Sequence, residues 1–125
     1  MNIPFQTDRA PSAIGPYSQA IISGNMLFVS GQIPLDPESM KIVEGGIKEQ
    51  AKRAIESLLA VVEDAEFGKK SIAKVTIYIK NMDDFTAINE IYSEAMGDHR
   101  PARAVVEVAR LPKDVLIELD CICVR

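Results

Sequence analysis

The chain has 125 residues, 47% of them apolar, a length that suits one domain with its own core. Its net charge of −4 and isoelectric point near 5.0 argue against a nucleic-acid-binding surface, which is normally basic. No apolar stretch is long enough to span a bilayer, and the start, Met1 to Arg9, lacks the apolar centre of a signal peptide. The expectation is a single domain over residues 1–125, cytoplasmic, with no membrane or nucleic-acid partner.

Residues 1–16, with prolines at 4, 11 and 16, read as irregular. Tyr17 to Ser23 and Met26 to Gln32 read as two strands joined by a tight turn at Gly24-Asn25. Ile33 to Gly46 holds two prolines and two glycines and reads as a loop, with a short strand near Lys41 to Val43. Ile47 to Phe67 places Ile47, Ala51, Ala54, Ile55, Leu58, Leu59, Val62 and Ala65 on one stripe, which predicts a helix capped by Gly68.

Lys74 to Lys80 alternates Val75, Ile77 and Ile79 with Thr76 and Tyr78, the pattern of a half-buried strand. Asp83 or Asp84 can cap a second helix that carries Phe85, Ile88, Ile91, Tyr92 and Ala95 and stops at Gly97. Strands follow at Ala102 to Val108 and Val115 to Val124, with a loop around Leu111-Pro112. This order predicts an α+β fold with helices packed on a sheet. The last strand is apolar on both faces, and two helices can cover only one. A homo-oligomer that buries the other face is therefore expected.

Cys121 and Cys123, two apart on that strand, share a face. They read as small buried hydrophobes, because a closed zinc site would need ligands beyond these two and the lone His99. His99, in a polar loop, is given no role.

The charges placed among these apolar runs are the candidates for chemistry. Arg103 opens Arg-Ala-Val-Val-Glu-Val, and Glu118 lies inside Val-Leu-Ile-Glu-Leu-Asp. A charge in such a setting is costly unless paired or used. A guanidinium fork suits a carboxylate ligand, and a nearby carboxylate suits proton handling. Structural roles stay open for Glu118 and Asp120: an ion pair with Arg103 or Arg110, or an edge charge against aggregation. If the last two strands form a hairpin, Arg103 and Val105 lie near Glu118 and Asp120.

Ile14-Gly15-Pro16-Tyr17-Ser18-Gln19-Ala20, Val29-Ser30-Gly31-Gln32-Ile33-Pro34 and Pro101-Ala102-Arg103, through Leu111-Pro112-Lys113 to Ile117-Glu118, occur in order along the chain. Together they resemble the RidA/YjgF/UK114 family, also labelled endoribonuclease L-PSP, from about Asp8 to Val124. The resemblance implies a chorismate-mutase-like mixed sheet with two helices on one face, and a homotrimer with sites at the subunit clefts. It implies a 2-iminobutanoate/2-iminopropanoate deaminase. Such an enzyme hydrolyses reactive enamines and imines, such as 2-aminoacrylate released by pyridoxal-phosphate enzymes, to 2-oxo acids and ammonia. No metal or organic cofactor is implied.

Arg103 matches the family arginine that grips the substrate carboxylate, and Glu118 the glutamate near the attacking water. Tyr17, Ser30, Gly31 and Asn89 match positions that line the cleft. Val105 stands where many members have Cys, which removes a thiol role but leaves a backbone contact. The segment between Tyr92 and Pro101 is shorter than in some members, and Asp120, where Glu is common, reads as structural. Two other functions remain open: a small-carboxylate-binding or chaperone-like trimer without turnover, and a ribonuclease or translation inhibitor, against which the acidic charge speaks.

Overall fold

A computed structural model describes all 125 residues. Six strands form one sheet: β1 (Asn2–Phe5), β2 (Ala20–Ser23), β3 (Met26–Gln32), β4 (Ile72–Ile79), β5 (Ala102–Glu107) and β6 (Ile117–Val124). Their spatial order is β1-β2-β3-β6-β4-β5, and every pairing is antiparallel except β4 with β5. Helices α1 (Ile47–Asp64) and α2 (Phe85–Met96) lie against one another, and α1 spans β3 and β6. The mixed α+β architecture with two helices on one face is the expected one. No helix is long and apolar enough to cross a membrane.

The central place of β6 follows from its residues. Ile117, Leu119, Cys121 and Cys123 are buried against the helices, joined there by Leu27, Val29, Val75, Ile77 and Ile79 from the neighbouring strands. Each large side chain buried in this way is worth roughly 1.5–3 kcal/mol. From α1 the layer is closed by Ala54, Ile55, Leu58, Val61 and Val62, and from α2 by Ile88, Tyr92 and Met96. The opposite face carries Phe28, Tyr78, Val106, Glu118, Asp120 and Ile122 and no element of the chain covers it; Phe28 and Val106 are each 41% exposed.

The last two strands do not form the hairpin that would have set Arg103 beside Glu118. Chain order β4–α2–β5 is a crossover unit, so β5 lies parallel to β4, with Val75 opposite Arg103 and Ile77 opposite Val105. β6 then returns on the other side of β4, pairing Val75 with Cys121 and Tyr78 with Glu118. The doubly apolar strand thus gains a neighbour on each side, and β5 is left at the edge.

Smaller differences have local causes. The first residues are not irregular, because Asn2–Phe5 adds an edge strand to β2, where Pro4 needs no ladder partner on its outer side. β2 begins at Ala20 rather than Tyr17 because Gln19 turns inward, 4% exposed. Its amide accepts from Thr7 N and donates to the carbonyls of Thr7, Ala10 and Pro11, pinning the N-terminal segment. The short strand near Lys41 to Val43 is reduced to one bridge, Leu35 to Ile42.

Helix α1 stops at Asp64, and Gly68 is not its cap. Glu66 takes the left-handed turn at φ 63°, with its N–H on Glu63 O and the Phe67 N–H on Val62 O. That is the Schellman hydrogen-bond pair, with a glutamate where glycine is usual.

Candidate functional site

The predicted site residues fall into two groups on opposite faces of the sheet. Arg103 and Val105 share the helix-covered face with Val75 and Ile77, while Glu118 shares the uncovered face with Tyr78. β5 and β6 are separated by β4, so their backbones stand about 10 Å apart before the opposed directions are added. Arg103 and Glu118 of one copy therefore cannot close on one small ligand.

The first group is built by β5 and α2. The Arg103 guanidinium donates to Asn89 Oδ1 at 2.8 Å. It lies 5.0 Å from the Tyr92 ring centre and 5.6 Å from that of Phe85, within cation–π range. Phe85, Asn89 and Tyr92 stand four and three residues apart, which puts them on one side of α2 facing β5. The chain's ion pairs involve only Arg9 and Arg110, so Arg103 carries its charge exposed and without a carboxylate partner. It is oriented by neutral groups and kept open to an anion.

The second group is built by a bulge in β3. Val29 pairs with Cys121 and Gln32 with Leu119, so three steps on β3 match two on β6 and Ser30-Gly31 carries the extra residue. The Ser30 hydroxyl donates to Ser18 O at 2.6 Å, and its N–H to Gln19 O. Gly31 abuts the Glu118 side chain. Tyr17, 52% exposed, accepts on its hydroxyl from the Ile14 N–H. Tyr17 and Gly31 line a hollow of about 220 Å³ with Ile33, Pro112 and Lys113.

Glu118 is half-buried and makes neither an ion pair nor a hydrogen bond to a side chain. Burial pushes its carboxyl above the ordinary range, and the charge of Asp120 adds to that. Asp120 is pushed up by burial too, but Tyr78 donates to it at 3.1 Å and Lys74 draws it back. Two carboxylates two residues apart thus differ: Asp120 is held by a phenol, Glu118 is free to hold water. The ion-pair alternative does not hold, because Arg103 turns to the other face and Arg110 pairs with Asp114 at 2.8 Å.

Arg100, Tyr92 and Ser93 join Asn89 and Arg103 around a hollow of about 440 Å³, and sequence reasoning gave none of these three a role at the site. The signal was available for Tyr92 and Ser93, which follow Asn89 by three and four positions on the helix. His99 is not simply solvated, since its ring Nε2 meets Ile72 O at 2.8 Å and ties the loop to β4. Cys121 and Cys123 are buried, with their sulfurs 4.0 Å apart.

The family model described as endoribonuclease L-PSP matches residues 7–125. A RutC family protein of Pyrococcus abyssi is 55% identical over 119 residues, covering 95% of this chain and 94% of the relative. A Salmonella typhimurium protein named 2-iminobutanoate/2-iminopropanoate deaminase is 42% identical over 128 residues, covering 100% of this chain and 99% of the relative. Among solved structures, Escherichia coli TdcF with bound serine superposes with a TM-score of 0.94 at 41% identity, covering 98% of each chain.

Proposed function

Because the chain belongs to the RidA/YjgF/UK114 family, described equally as endoribonuclease L-PSP, we propose that it hydrolyses small 2-imino acids to 2-oxo acids and ammonia in clefts between copies of itself. The observation that carries this reading is the placement of a carboxylate-free Arg103 and a cation-free Glu118 on opposite faces of one sheet. Each is half of a site, and a second copy supplies the other half. The uncovered face bearing Phe28, Val106 and Ile122 is the surface such an assembly would bury, in a homotrimer as the family resemblance implies. The deaminase name of the Salmonella relative and the amino acid held by the Escherichia coli structure support the same substrate class.

The chemistry asks little of the protein. An iminium carbon is already electrophilic, so the enzyme needs to orient it and one water. Arg103 holds the substrate carboxylate through two parallel N–H···O bonds. Glu118 of another copy takes a proton from water as the oxygen adds to C2, forming a carbinolamine. It returns that proton to nitrogen, then takes the carbinolamine hydroxyl proton as the C–N bond breaks, so that ammonia leaves, the C2 carbonyl forms and the proton passes from Glu118 to solvent. Burial and the charge of Asp120 raise the Glu118 carboxyl above its ordinary range, which strengthens it as a base and suits a group that first accepts and then returns a proton.

Subunit mixing tests this. Arg103→Ala and Glu118→Gln are each expected to be inactive on imines generated in situ by an amino-acid oxidase. When the two are unfolded together and reassembled, about a quarter of the clefts regain Arg103 from one copy and Glu118 from another. Recovery of about that share of activity is the expected result. No recovery, with assembly verified by light scattering, would overturn the shared cleft. No imine hydrolysis by the unmutated protein, with 2-oxobutanoate still bound, would leave a carboxylate-binding module instead.

A further inference from the structure

The hollow at Arg103 is larger and more cationic than one carboxylate requires. It is lined by Asn89, Tyr92, Ser93, Arg100, Pro101 and Arg103, with no aspartate or glutamate among them. Arg100 spends one terminal nitrogen on the carbonyls of Gly97 and His99 at the end of α2. Its other terminal nitrogen and Nε make no hydrogen bond within the chain. The Tyr92 hydroxyl is buried with no partner, in a residue only 6% exposed. Burial pushes its phenol up while Arg103 and Arg100 pull the other way, so both cations lie within electrostatic reach of this hydroxyl.

We propose that this hollow is a dicarboxylate seat: Arg103 takes the C1 carboxylate, and Arg100, with the exposed Ser93 hydroxyl as a donor, takes a second carboxylate on the ligand side chain. The preferred ligands are then 2-imino and 2-oxo acids with an acidic side chain. In this half of the cleft an alkyl side chain would meet only the Tyr92 ring and Pro101 as apolar lining, and the rest is polar or charged. The second cation instead rewards a second anion. The inference rests on Arg103 as the carboxylate grip and deepens the proposed function by naming the side chain that fits.

The test is calorimetric binding of 2-oxobutanoate and 2-oxoglutarate to the assembled protein, to Arg100→Gln and to Ser93→Ala. The unmutated protein should bind 2-oxoglutarate about tenfold or more tightly than 2-oxobutanoate. Arg100→Gln should erase that preference and leave 2-oxobutanoate affinity within about twofold, which also shows that the end of α2 has kept its shape. Ser93→Ala should reduce the preference in part. Equal affinity for both acids in the unmutated protein, or a preference that survives Arg100→Gln, would overturn the assignment. So would inorganic phosphate binding as tightly as 2-oxoglutarate, which would mark a general dianion seat. An intact preference without hydrolysis of any imine would support the seat and overturn the deaminase reading alone.

Discussion

The Glu118 side chain occupies the space that a Cβ at position 31 would need: its carboxyl carbon would lie 2.8 Å away and its Cγ 3.2 Å. Gly31 is therefore required for close approach rather than for an unusual backbone angle. The bulge at Ser30-Gly31 and the half-buried carboxylate are one arrangement.

Gly31→Ala should leave the fold intact, because a glutamate end can swing aside, while moving the carboxylate from its place. The expected loss in kcat/KM for imine hydrolysis is about tenfold to a hundredfold, or roughly 1.4–2.8 kcal/mol. Thermal unfolding midpoints and turnover measured on one preparation check it. Unchanged turnover would remove Glu118 from the reaction.

Arg103→Lys keeps the charge and loses the fork and its stacking on Tyr92 and Phe85. We expect kcat/KM to fall about thirtyfold or more. Asn89→Ala removes the hydrogen bond that aims the guanidinium, and its effect should be milder, roughly fivefold, and fall mainly on KM. Steady-state kinetics of both variants separate aiming from charge.

Burial raises the Glu118 pKa in the fold. For a carboxyl of this kind the folded state holds the proton more tightly than the unfolded chain. Stability is fully present below the unfolded value of about 4.5 and is lost as pH rises through the raised folded value. Glu118→Gln should therefore be more stable than the parent at pH 7, with the difference closing toward pH 4, and should be inactive at both. Denaturant unfolding at the two pH values reads this directly. Asp64 behaves in the opposite sense. Thr7 and Arg9 hydrogen bonds lower its pKa, so its contribution is present at neutral pH and lost on acidification.

Glu66 pays a steric cost for its left-handed turn that glycine would not. Glu66→Gly should raise stability by about 1 kcal/mol, near 4 °C in the unfolding midpoint. The Arg125 contact to Glu66 uses the backbone carbonyl and survives the change. A lower midpoint would show that the Glu66 side chain has a role beyond the turn.

Both helices, five of the six strands and the two-sided character of β6 were legible because they rest on local periodicity, where side-chain spacing and burial go together. The placing of β5 was not. Whether Ala102 to Val108 pairs with the strand after it or the strand before α2 depends on sheet order, and its own residues suit either neighbour. That one choice decides whether Arg103 and Glu118 stand side by side in one copy or on opposite faces of its sheet. β1 and Gln19 were missed for a related reason: their hydrogen bonds join segments distant in sequence, and an isolated glutamine carries no pattern. Arg103, Glu118, Gly31 and Asn89 were chosen by chemistry and family resemblance, and the fold places Arg103 with Asn89 on one face of the sheet and Glu118 with Gly31 on the other.

Cys121 and Cys123 sit on the innermost strand, with neighbours on both sides and α1 above. The contact with Cys123 and burial push the Cys121 thiol far above its ordinary range, and Cys123, drawn down by the same contact, is wholly buried, so lack of access shields the pair from an electrophile in the native state. An alkylating reagent can reach the pair only after β6 has parted from β3 and β4, which dismantles the core. The two sulfurs are thus a native clock for the opening of the whole domain, and their labelling rate across a denaturant series reads its global stability without any introduced probe.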